Sequence, residues 1–329
     1  MVYRVNRDPI IDNDRVLRVD RMRVGSFSET NKAQGTTSGY TSGGTSPASP
    51  PTEPSNVIDK FSFSSNANAT DVGDLTQRRG SSAGQSSGTH GYTSGGFSMP
   101  PSGPNLGSPT TRFNTIDKFP FSSDANATDV GDLTAERLGG AGQSSSSHGY
   151  TSGGFGNGGV IDRFPFASDA NATSWVNVSP GVYRHAGQSS ASHGYLSGDG
   201  NVISKFPFST ETNAADVGDL TVARVGVAGQ SSSSSGYTSG GTPPPGYSSF
   251  DEIDKFPFSS DANATDVGNL TQARSQLAGQ SSTESGYSAG GKTGNEVNTI
   301  DKFSFSADAN ATDVGDLTIE REYVAGQQV

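Results

Sequence analysis

The chain has 329 residues, of which 30% are hydrophobic and 17% charged, with 44 glycines, 17 prolines and no cysteine. That composition lies near the disordered range, so a core exists only where the few apolar residues are concentrated. The formal net charge of −11 argues against a uniformly basic nucleic-acid binder, and without cysteine there is neither a disulfide staple nor a thiolate metal site. No apolar run is long enough for a membrane-spanning helix, and the start of the chain does not read as a cleaved secretory leader.

Residues 1–32 stand apart. MVYRVNRDPIIDNDRVLRVDRMRVGSF carries six arginines against four aspartates and alternates apolar and charged residues from Val16 to Val24. It is too short to bury a core alone and reads as an extended arm. The arm is similar to segments near the start of phage tail-fibre and tail-spike proteins, which connect a virion-attached part to a distal domain.

From residue 33 to 329 the chain repeats. IDKF-like segments begin at Ile58, Ile116, Ile161, Ile203, Ile253 and Ile300. Glycine doublets end another segment at Gly43–Gly44, Gly95–Gly96, Gly153–Gly154, Gly240–Gly241 and Gly290–Gly291, with an altered copy, GYLSGDG, from Gly194 to Gly200. Each unit is expected to carry four short strands, represented by AGQSS (Ala141–Ser145), HGYTSGG (His148–Gly154), TIDKFPF (Thr115–Phe121) and TDVGDLT (Thr128–Thr134). The phenylalanine pairs, such as Phe119 and Phe121, are spaced i, i+2, which puts both rings on one strand face and marks them as core. The connection SSDANA is a turn, because Asp, Asn and Ser bond nearby backbone. Six such units make an all-β, six-bladed β-propeller with four-stranded blades. The chain ends in VAGQQV (Val324–Val329), a first strand whose missing companion, GTTSGYTSGG, stands at Gly35–Gly44, so the two termini are expected to share one blade.

The unit resembles a kelch repeat. The kelch order is a small-residue strand, a strand ending in GG after an aromatic, a variable loop, an apolar strand with an aromatic, and a fourth strand followed by arginine. Here these are AGQSS, GYTSGG, the loop, IDKFPF, and VGDLT with Arg79, Arg137, Arg224, Arg274 and Arg321. The fourth-strand tryptophan of that pattern is replaced by Val or Leu, and the single tryptophan, Trp175, sits in the irregular third copy. The repeat also looks like units carried by structural genes of marine phages.

Several motifs invite chemistry. Asp124, Asn126, Thr128 and Asp132 in DANATDVGD offer oxygens as calcium loops do, but the glycine and closing glutamate of such a loop are missing, so an Asx turn is the preferred reading. Asn-Ala-Thr triplets at Asn68, Asn126, Asn171, Asn263 and Asn310 fit a glycosylation acceptor and are read as turns. His90, His148 and His193 recur before Gly-Tyr and are weighed between channel-lining and plain strand residues, whereas His185 stands alone and suggests nothing. No GxSxG elbow, Walker loop, dinucleotide fingerprint or isolated carboxylate pair appears, so no catalytic, cofactor-binding or metal residue is assigned and no enzyme is expected. Pro-rich loops 45–56, 97–114 and 242–252 follow the glycine doublets and should emerge on one face.

The reading is a non-enzymatic virion structural protein: a tail fibre, knob or tail-associated appendage, outside the cell after release. It binds no cofactor and no nucleic acid and does not insert into a membrane. The arm would bind other virion proteins and assemble copies of the chain, and the propeller would meet a host receptor or glycan. The alternatives are a kelch-type interaction scaffold in a cell and a carbohydrate-binding or carbohydrate-active propeller.

Overall fold

The computed structural model describes residues 34–47, 53–98, 111–244 and 248–329. The arm, and the parts of the Pro-rich loops at 48–52, 99–110 and 245–247, lie outside the described residues. Among the described residues all regular structure is β: six antiparallel four-stranded sheets, with two small two-stranded additions at Thr45–Ser46 with Glu53–Pro54 and Phe97–Ser98 with Thr111–Arg112. The protein is a six-bladed β-propeller. Blade 2 is representative, with strands Ala83–Ser86, His90–Ser94, Thr115–Pro120 and Thr128–Asp132 from the axis outward.

The blade at the seam is shared as expected. The C-terminal Ala325–Gln328 supplies its innermost strand and pairs antiparallel with Ser38–Ser42, in register from Gly39 with Gln328 to Ser42 with Ala325. The six innermost strands touch in ring order, so the sheet set has no open end at the axis.

Glycine makes that ring possible. A Cβ on Gly142 would lie 1.9 Å from the carbonyl oxygen of Gly84, and one on Gly84 2.2 Å from that of Gly326. The innermost strands therefore meet backbone to backbone, which is why AGQ recurs there. The doublet glycines fall just after the second strand rather than inside it. Both members take positive φ, 66° at Gly95 and 105° at Gly96, a conformation that side chains resist.

Each blade holds the next by the same set of contacts. Tyr40 packs against Phe119 and Phe121 of blade 2, with centroids 5.6 and 4.9 Å away, and the other five tyrosines of GY repeat this across their own interfaces. Gly91, opposite Phe119 on the adjacent strand, leaves room for that ring; its Cβ would sit 2.3 Å from the ring edge. The first phenylalanine of each pair is buried; of the second, Phe63 and Phe121 are buried and Phe166, Phe208, Phe258 and Phe305 half-buried. Phe119→Ala is expected to cost about 3–5 kcal/mol, measured by denaturant unfolding, since it empties the middle of an interface.

Polar links complete each junction. Arg79 is fully buried and pairs with Asp117 of the next blade at 2.8 Å, while the backbone N–H and hydroxyl of Thr76 donate to the same carboxylate at 2.9 and 2.7 Å. Arg137 with Asp162, Arg224 with Asp254, Arg274 with Asp301 and Arg321 with Asp59 repeat the pairing. The junction between blades 3 and 4 has Val182 and Ser204 in these places, so both charges are absent together and neither is left buried alone. Nearer the axis, the Gln85 amide donates to the carbonyl of Tyr150 at 3.0 Å, and the equivalent glutamines, through Gln327 to Tyr92, link all six blades.

The Asn-Ala-Thr asparagines are latches between blades. Asn126 Oδ1 accepts from the backbone N–H of Asp74 in the preceding blade at 3.1 Å, and Asn68, Asn171, Asn213, Asn263 and Asn310 do the same. Asp124, Asn126, Thr128 and Asp132 do not converge: Asp124 pairs with Lys60 at 3.3 Å while Asn126 is committed to Asp74. Among the described residues no group of three acidic or histidine side chains is arranged to hold a metal ion.

Candidate binding face at the channel mouth

The direction of the strands sorts the connections onto two faces. One face carries the short turns between first and second strands and the SSDANA-type turns between third and fourth strands. The SSDANA-type turns are nearly the same in all six blades, and the first-to-second turns in the five blades where one joins those strands. The other face carries the strand ends joined by the second-to-third connections, which span 45–56, 97–114, 155–159, 242–251 and 292–298 in the sequence and share neither length nor sequence. It also carries the links from each fourth strand to the next first strand, and these links form the mouth of the central channel.

A closed ring of backbone hydrogen bonds rims that mouth. Ser81 N–H donates to Tyr323 O, Gly139 to Ser81, Arg184 to Gly139, Gly226 to Arg184, Gln276 to Gly226 and Tyr323 to Gln276, at 2.6–2.8 Å. All six residues have φ between 53° and 69°. Two are glycine. The others, Ser81, Arg184, Gln276 and Tyr323, hold a left-handed conformation that costs a side-chain-bearing residue about 1 kcal/mol or more. Asp199 is the one further non-glycine with positive φ among the described residues.

The ring surrounds a cavity of about 150 Å3 that descends between the innermost strands. Its wall is mostly glycine, alanine and serine, with Arg184, His185, Gln276 and Tyr323 at the top. No aspartate or glutamate lines it, although the chain carries a net charge of −11. Arg184 lies between two phenol rings, 5.0 Å from the centroid of Tyr183 and 5.1 Å from that of Tyr323. Its Nε donates to the Tyr183 hydroxyl and its Nη2 to the Tyr323 hydroxyl, both at 2.9 Å. Burial pushes the Tyr323 phenol up to about 12. Beside it, burial also raises the Glu322 carboxyl, which pairs with Lys292 at 3.4 Å. The aromatic row extends both ways: Tyr323 meets Phe97 edge-on at 6.2 Å, and Tyr183 meets Phe155, which is 60% exposed and capped by the Arg112 guanidinium at 5.2 Å.

Below the rim, His185 is fully enclosed, and burial drives its imidazolium down to about 3, so the ring is neutral. Ser152 Oγ lies 3.0 Å from His185 Nε2 and 3.1 Å from Ala141 O. That hydroxyl has two partners at nearly equal distance for its one proton, so the neutral ring carries its hydrogen on Nε2 or on Nδ1. Nδ1 has no partner, and neither do the buried hydroxyls of Ser81 and Ser82.

His185 was the histidine that sequence reasoning dismissed, and it is the one at the channel. Blade 4 has Leu196 where blade 3 has Thr151, whose hydroxyl lies 2.8 Å from that of Ser94; His185 supplies the corresponding partner for Ser152. His90, His148 and His193 stand instead at the start of their second strands on the opposite face. Each ring bonds a neighbouring hydroxyl, Thr89, Ser147 or Ser192, at 2.8 Å, and partial burial lowers its imidazolium. None of the three lines the cavity.

No family model and no curated protein matches the chain. Among solved structures it is similar to the one described as "Structure of YjhT", with a TM-score of 0.63 and 13% sequence identity over 85% of this chain and 99% of that one. At that identity the likeness speaks for the propeller fold alone.

Proposed function

We propose that the protein is a non-enzymatic binding propeller borne on a phage virion, as a tail fibre, knob or tail-associated appendage, whose variable face meets the host surface or a neighbouring virion protein. The observation that supports the binding reading is the sorting of variation. One face repeats blade after blade, while the face around the channel mouth differs at every blade in loop length and side chain. Rigid scaffolds present binding residues on such loops.

The finer assignment rests on sequence resemblance. The unit is kelch-like in strand order, and residues 1–32 are similar to segments that join tail fibres to the particle. In this reading the arm docks on other virion proteins and brings copies of the chain together, and the protein is extracellular once particles are released. No cofactor, nucleic acid or membrane insertion enters the role.

Deleting residues 1–24 and following assembly by mass spectrometry of purified particles tests it. The intact protein should be found in virions, and the truncated one should stay folded yet fail to incorporate. Absence of the intact protein from particles would remove the virion role. Incorporation of the truncated protein at full level would move the anchor to the propeller.

A further inference from the structure

In a chain of 44 glycines, the repeat elsewhere places glycine at its positive-φ positions, Asp199 at the second doublet place of blade 4 apart: both members of the other doublets, and Gly73, Gly131, Gly218, Gly268 and Gly315 in the fourth strands. The hydrogen-bonded rim of the channel departs from this at four of its six places. It spends conformational strain on Ser81, Arg184, Gln276 and Tyr323, four different side chains at equivalent places. A structural ring would be more stable with glycine throughout. Strain retained against an available alternative points to what the side chains do.

Those side chains crown a cavity with a definite chemical preference. Its one arginine is held between two phenol rings, and Nη1 is left to meet something else. The nearest carboxylate chemistry, Glu322, is already engaged by Lys292, and no acidic residue lines the wall. A carboxylate is the natural partner for a guanidinium fixed in this way. Beneath it stand three unpartnered buried groups, the Ser81 and Ser82 hydroxyls and the Nδ1 of neutral His185. Nδ1 accepts or donates according to the tautomer, and a hydroxyl on the occupant serves either case. Beside them stand Tyr183 and the 60% exposed Phe155, an apolar surface for one side of a hydroxylated ring.

We propose that the channel mouth binds a sugar acid: a hydroxylated ring bearing one carboxylate, with the carboxylate on Arg184 and hydroxyls toward Ser81, Ser82 and His185 Nδ1. A terminal or side-branch acidic sugar of a surface polysaccharide fits a cavity of about 150 Å3. The inference deepens the binding reading above and rests on it, naming the ligand class for one point on the variable face.

Calorimetric titration of the full chain with D-glucuronate and D-galacturonate tests it, with D-glucose lacking the acid and acetate lacking the hydroxyls. At least one uronate should bind saturably, and glucose and acetate at least about tenfold more weakly, since a charge-assisted pair and a set of neutral hydrogen bonds are each worth that much. Arg184→Gly should weaken uronate binding by about tenfold or more. Its melting temperature should not fall, because glycine relieves the left-handed strain. Ser81→Gly serves as a second variant and should weaken binding with the melting temperature again maintained. Failure of both uronates to bind, affinity equal to that of acetate, or unchanged affinity in Arg184→Gly would overturn the proposal. If the intact protein binds host cells and uronates do not compete, the sugar-acid assignment fails while the binding reading stands. If it binds neither host cells nor another virion protein, the reading itself fails.

Discussion

Deleting Val324–Val329 lowers the melting temperature by about 10 °C or more, on the basis of a few °C per kcal/mol for a domain of this size. The segment is six residues, yet it supplies the innermost strand of the blade at the seam. Its loss strips Ser38–Ser42 of a pairing partner, exposes Tyr40 and removes Val324 from the core. It also removes Gln327, whose amide holds the carbonyl of Tyr92 and the hydroxyls of Ser42 and Thr93 at 2.9–3.1 Å. The Ser42 and Thr93 hydroxyls keep each other at 2.7 Å, but the Tyr92 carbonyl loses its amide donor, at a cost of about 1–3 kcal/mol. The six-residue peptide VAGQQV added in trans should restore part of the loss, because a vacant strand position accepts an extended segment. An unchanged melting temperature would mean that the ring does not depend on its seam.

Asp117→Ala is expected to destabilise by about 3–5 kcal/mol, since it strands the buried Arg79 guanidinium without its carboxylate. The junction between blades 3 and 4 shows how the chain escapes that cost, by having Val182 and Ser204 instead. The double variant Arg79→Val with Asp117→Ser should therefore be less destabilised than Asp117→Ala, although it carries one more substitution. A double-mutant cycle from urea unfolding measures the coupling. Additive losses would show that the two residues act independently and that the pair is not the unit.

The fold was legible because it repeats. Phenylalanine pairs, glycine doublets and the split unit at the termini each recur in register, and a recurring scarce residue marks a recurring packing position. The identity of the links was less legible. Asn126 and its equivalents read as turn formers, which they are, but their amide oxygens reach across to the preceding blade, and a contact between units leaves no trace in the pattern of one unit.

The candidate site was nearly invisible for the complementary reason. Arg184, Tyr323 and Gln276 differ from one another, so repeat logic passed over them as irregular. The signal was available in alignment of the units: the residue two before each AGQ reads Ser81, Gly139, Arg184, Gly226, Gln276 and Tyr323, and two glycines among six hint at positive φ. His185 was dismissed because it had no counterpart in other copies. Its uniqueness follows from the loss of a threonine at Leu196, which sequence alone does not connect to it.

Because the chain has no cysteine, single thiols can be introduced at will, and blocking one face at a time gives the most direct measurement of the central claim. Thr293→Cys lies in the 292–298 connection on the variable face, and Ser146→Cys in a short exposed turn on the repeated face. Each variant, coupled to a bulky polyethylene glycol maleimide, is assayed for binding to host cells. The account predicts that the label at residue 293 abolishes binding and the label at 146 leaves it intact. Loss of binding from the label at 146, with binding preserved at 293, would contradict it.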